Sequence, residues 1–84
     1  MNSKHRKTLQ DIFNDPVSPA ILWRDIETLF IALGAIVKEG AGSRVNILLN
    51  ERVAVFHRPH PHKETDRGTV KSVRRFLIEA GIKP

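Results

Sequence analysis

Arg44-Val45-Asn46-Ile47-Leu48-Leu49, then Asn50-Glu51, then Arg52-Val53-Ala54-Val55-Phe56-His57-Arg58 repeats with the period of a β-sheet. Val45, Ile47 and Leu49 alternate with Arg44, Asn46 and Leu48, and the β-branched enrichment suits a pleated, half-buried surface. Two strands, over 44–49 and 52–58, are expected, with Asn50-Glu51 short enough to close a hairpin between them. The turn signal is weaker than Asn-Gly, because glutamate at a positive-φ position carries a steric cost. Ala35 to Glu39 reads as a third strand. Gly40-Ala41-Gly42 makes the other turn, and its glycines let a ligand come close to the backbone.

On either side the period changes to that of helices. Trp23, Ile26, Leu29, Phe30 and Leu33 fall on one face of a helix from about Arg24 to Leu33, and Gly34 sits where the residue after a helix belongs. This should be the main core helix, with Trp23 a core residue rather than a base-stacking one. A closing helix from about Thr69 to Ala80, capped by Asp66 or Thr69 and ended by Gly81, would bury Val70, Val73, Leu77 and Ala80, with Phe76 at the edge. Lys71, Arg74 and Arg75 fall away from that stripe, near Arg67. At the N-terminus, Ser3 can cap a helix over Lys4 to Phe13 that is stopped by Asn14-Asp15-Pro16. Its basic first turn opposes the helix dipole, so it reads as an appendage, ordered by docking or partly frayed.

The expected architecture is α+β: a small three-stranded antiparallel sheet with helices packed on one face, in the order α-α-β-β-β-α. The core order of helix, three strands and helix is that of the double-stranded-RNA-binding fold. At 84 residues this is one domain, with residues 1–19 as helical extension and connector and 20–84 as core.

The net charge of +5 is placed unevenly. Residues 1–42 hold five Lys/Arg against five Asp/Glu, and residues 43–84 hold nine against four, so the whole surplus lies in the second half. Clustered cations attract polyanions, of which nucleic-acid phosphate is the commonest in cytoplasm. With no cysteine there is neither a disulfide frame nor a thiolate metal site. No apolar run approaches the roughly 20 residues of a membrane helix, so a soluble cytoplasmic protein with no membrane partner is expected.

Three of the four histidines stand in His57-Arg58-Pro59-His60-Pro61-His62-Lys63-Glu64-Thr65-Asp66-Arg67-Gly68-Thr69, between the last strand and the closing helix. Pro59 and Pro61 stiffen the segment around His60. An imidazole can take a proton from one oxygen and deliver one to another, which is what a metal-free ribonuclease needs to activate a 2′-hydroxyl and release a 5′-oxygen. Neighbouring Arg44, Arg58, Lys63 and Arg67 would stabilise the extra charge on phosphorus. The competing chemistry is a metal site on His57, His60 and His62, but no carboxylate or fourth ligand is placed to complete one. No metal and no small-molecule cofactor is therefore expected.

Pro59-His60-Pro61-His62-Lys63-Glu64, Arg67-Gly68-Thr69-Val70-Lys71-Ser72-Val73 and Leu77-Ile78-Glu79-Ala80-Gly81-Ile82 resemble the motifs of the HicA family of bacterial toxins. The similarity extends upstream through Trp23 to Gly34 and the Gly42-Ser43 turn, covering about residues 20–82. The resemblance implies the toxin of a type II toxin–antitoxin system, a messenger-RNA-cleaving endoribonuclease with a double-stranded-RNA-binding-like fold, neutralised by a HicB-like antitoxin. One departure stands out: the family's turn is Gly-Ser-His with that His held to be catalytic, and here Gly42-Ser43 is followed by Arg44. A guanidinium cannot act as a general base near neutrality. The expected arrangement is therefore His60 as the proton-transfer group with Arg44 on phosphate. Ser43, Arg58, His62, Lys63, Arg67, Lys71, Arg74 and Arg75 are expected to contact RNA. The alternative is a catalytically silent RNA-binding or antitoxin-binding module.

Overall fold

The computed structural model describes residues 1–84. In chain order it contains α1 (Ser3–Phe13), α2 (Trp23–Ala32), β1 (Ile36–Glu39), β2 (Arg44–Leu49), β3 (Arg52–His57) and α3 (Arg67–Glu79). The strands form one antiparallel sheet in the order β1-β2-β3, with Val45 opposite Phe56 and Ile47 opposite Ala54. Val45, Ile47, Leu49 and Phe56 turn inward and are buried, whereas Ile36, Leu48, Val53 and Val55 on the other face stay exposed. The helices cover one side of the sheet, which is the α+β arrangement the alternation predicts. Asn50 and Glu51 adopt φ values of 50° and 67°, so both residues of the hairpin turn sit in the left-handed region. The Asn50 side chain donates through Nδ2 to the Ala80 carbonyl at 2.8 Å, tying this turn to the end of α3.

The core is knit by aromatic rings from three elements. Phe30 of α2 stacks on Phe56 of β3 at 6.0 Å between centroids and meets Phe76 of α3 edge-on at 5.9 Å. Phe76 is buried rather than at the margin of its helix, because it closes this ring cluster from the α3 side. Trp23 is buried too, and packs on Phe56.

The N-terminal helix takes the docked of its two expected forms, with a different cap. Its cap is Asn2, whose side chain accepts from the His5 amide at 2.8 Å, rather than Ser3. It is docked, with Leu9 and Ile12 inside the same core cluster as α2, α3 and the sheet. Arg74 of α3 holds its far end: Nε donates to the Ile12 carbonyl at 2.8 Å, and one terminal nitrogen donates to the Asn14 carbonyl at 2.9 Å. The other reaches Asp15 at 3.2 Å. A cation on the unsatisfied carbonyls of a helix C-terminus is favourable through both hydrogen bonds and the dipole.

α3 starts at Arg67, two residues before the predicted Thr69, with Asp66 as its cap. The Asp66 carboxylate accepts from the Thr69 hydroxyl at 2.6 Å and from the Thr69 amide at 3.1 Å. The Thr69 side-chain bond first, and the amide bond next, hold this carboxyl below its ordinary value of 3.8. A depressed carboxyl contributes stability that is present above its unfolded value and lost as pH falls through its folded value. Asp66→Ala should therefore cost about 0.5–2 kcal/mol at pH 7, and the difference from wild type should close as pH is lowered through 4 toward 2. Paired thermal melts at pH 7 and in acid check this; a gap that persists in acid contradicts the assignment.

Candidate functional site

Two short segments bring the chemistry-bearing residues together, the turn between β1 and β2 and the loop from β3 to α3. In the turn, the Gly40 amide donates to the Arg44 carbonyl at 2.9 Å, and the Arg44 amide donates to the Ala41 carbonyl at 3.1 Å. A Cβ on Gly40 would lie 3.1 Å from the Cβ of Arg44, so the missing side chain lets the turn close this tightly. Gly42, at φ +62°, takes the left-handed position. Ser43 and Arg44 are thereby presented at the end of β2, both exposed.

The loop is stitched down at both ends. At its start, the Arg58 amide donates to the Ser43 carbonyl at 2.9 Å. The Arg58 side chain runs between two carboxylates, with Nε on Glu27 at 2.6 Å and the terminal nitrogens on Glu39 at 2.5 and 2.7 Å. Glu27 also accepts from the Trp23 indole. Hydrogen bonding to Arg58 holds the Glu39 carboxyl below its usual range, and the two carboxylates push the guanidinium still further from deprotonation. At its far end, residues 63–65 pair with the lead-in to α2. The Trp23 amide donates to the Lys63 carbonyl at 3.0 Å, and the Thr65 amide to the Ile21 carbonyl at 2.7 Å. Thr65 is buried, while His60, His62 and Lys63 are exposed on the span between the anchors.

Between that span and the start of α2 lies an open cleft of about 300 Å³, lined by Arg24, Arg58, Pro59, Pro61, His62 and Lys63 with Leu22 and Trp23. His62 also borders a second concavity with Arg67. Lys71 and Arg75 stand exposed on α3, and neither they nor Arg44, Lys63 and Arg67 have an ion-pair partner. No three His, Asp or Glu side chains converge where a metal ion could sit.

Two of the expected RNA contacts are engaged elsewhere. Arg58 has its donors on Glu27 and Glu39, and Arg74 has its donors on the end of α1 and Asp15. Both are arginines that fasten one element to another, so neither presents a free guanidinium to phosphate. Arg24, which the sequence does not single out, and His57, one of the three histidines it does, also belong to the surface. Arg24 faces the cleft from α2. His57, which closes β3, lies directly opposite Arg44 in the β2–β3 register, and its Nδ1 is 3.4 Å from the Ser43 hydroxyl. Residue type alone draws attention to both, but only the pairing of the strands puts His57 beside Arg44.

Searches of curated proteins and of solved structures returned no match. A protein-family model does match, described as the HicA toxin of bacterial toxin–antitoxin systems, over residues 23–82. That span runs from the first residue of α2 past the end of α3 and includes both segments of the site. The chain belongs to the HicA family of toxins of bacterial toxin–antitoxin pairs.

Proposed function

We propose that this toxin binds messenger RNA in the cytoplasm and cleaves it as a metal-independent endoribonuclease, and that a HicB-like antitoxin silences it by covering the same basic surface. The observation that carries the reading is the anchored loop, which exposes His60 and His62 beside Lys63 and Arg67, two cations with no carboxylate partner. Arg44 meets phosphate and stabilises the charge that builds on it, and His60 transfers a proton. Ser43, His62, Lys63, Arg67, Lys71 and Arg75 hold the backbone. Arg58 and Arg74 are left out of this set because their donors are taken.

Arg44 itself favours the second reading, a silent module that binds RNA or antitoxin, since a guanidinium replaces the proton-transfer group expected in that turn. Purified protein and end-labelled oligoribonucleotides decide between them. Cleavage should proceed in EDTA. The logarithm of affinity should fall with the logarithm of salt with a slope of several units, as when several phosphates are neutralised. Lys71→Ala or Arg75→Ala should each reduce that slope by about one. RNA that is bound but never cut would establish the silent module, and binding insensitive to salt would remove RNA as the target.

A further inference from the structure

We infer that His57, steadied by the Ser43 hydroxyl and set beside Arg44, is the general base of the cleavage reaction; this rests on the ribonuclease reading above. His57 and Arg44 are directly paired across β2 and β3. Their side chains point to the open face of the sheet, about 5 Å apart at Cβ, the ordinary spacing of such a pair. That end of the face holds an imidazole, a permanent cation and a hydroxyl, all exposed.

The surroundings suit a base that must accept a proton from RNA. In the tautomer whose Nδ1–H donates to the Ser43 oxygen, Nε2 keeps its lone pair free. The contact is long at 3.4 Å, as catalytic hydrogen bonds often are before substrate binds. Ser43 is in turn fixed, because its carbonyl accepts from the Arg58 amide and Arg58 is clamped by two carboxylates. The charged groups sharing the face are Arg44 of β2 and Lys38 of β1, which lies one row along beside Asn46; the face carries no carboxylate. Glu39, the nearest in sequence, is engaged by Arg58. A phosphate is therefore drawn to Arg44 without competition.

His60 lies three residues on, so its Cα is within about 10 Å of that of His57. The reaction then closes as a proton transfer at each end. Nε2 of His57 takes the proton of the 2′-hydroxyl while that oxygen bonds to the adjacent phosphorus. The bond from phosphorus to the 5′-oxygen breaks, and the leaving oxygen takes a proton from His60. The products are a 2′,3′-cyclic phosphate and a 5′-hydroxyl, and exchange with water restores both imidazoles.

The test is single-turnover cleavage of an oligoribonucleotide by wild type, His57→Ala and Ser43→Ala, with RNA affinity and circular dichroism measured alongside. His57→Ala should lower the cleavage rate by about 10² to 10⁴ with affinity within about threefold, and added imidazole should restore part of the rate. Ser43→Ala should cost roughly tenfold, since it orients the ring rather than moving the proton. An active wild type with an equally active His57→Ala overturns the inference alone. So does a His57→Ala variant whose affinity falls with its rate and which imidazole does not rescue, because that histidine would be a phosphate contact. A wild type inert toward every RNA overturns the ribonuclease reading, and this inference with it.

Discussion

His60→Ala should lower RNA cleavage by about 10² to 10⁴ while leaving RNA affinity nearly unchanged, the signature of a group that moves a proton in the transition state. The side chain is exposed and carries no structural bond, so the fold should not respond. Arg44→Ala should behave differently and weaken both binding and rate, since its charge acts on phosphate in the ground state as well as at the phosphorane. The roles of His57 and His60 separate by leaving group. A substrate with sulfur in place of the bridging 5′-oxygen needs no acid, so it should recover most of the rate lost by His60→Ala and none of that lost by His57→Ala. Equal recovery in both variants would refute the division of labour. Arg44→His completes the series: cleavage gained by that substitution in a protein otherwise inert would show the wild type to be a binding module.

Phe30→Ala should remove about 3–5 kcal/mol of stability, from a total of about 4–13 kcal/mol expected for a chain of this length. Phe30 is fully buried and its ring touches Phe56 and Phe76, so the truncation opens a cavity where α2, β3 and α3 meet. Phe30→Leu, which keeps most of the volume, should cost far less. Urea unfolding at 25 °C checks both. A loss below about 1 kcal/mol would mean that the rings do not form a shared core.

The sheet was readable from Val45, Ile47 and Leu49 because burial on one face writes itself into every second residue. The α2 stripe was readable for the corresponding reason at helical spacing. What stayed hidden was whatever depends on a partner far along the chain. Arg58 and Arg74 look like surface cations by residue type, yet their partners Glu27 and Ile12 lie 31 and 62 residues away. A charge count does not distinguish an arginine that clamps two elements from one that meets solvent. By periodicity Phe76 falls at the helix edge, but its contacts are with rings on other elements, which helical spacing does not register. His57 was one histidine among three until strand pairing set it against Arg44.

The docked first helix has a consequence for where this protein can be cut. The family pattern begins at Trp23, but Leu9, Ile12 and Val17 belong to the same core as the residues inside that pattern. A chain started at residue 23 would leave a greasy seam along α2 and α3 and release Arg74 from the carbonyls it serves. The stretch by which kinship is recognised is thus shorter than the body that shares one apolar interior. Excising the former to obtain a minimal toxin would yield a sticky fragment with an additional unpaired positive charge.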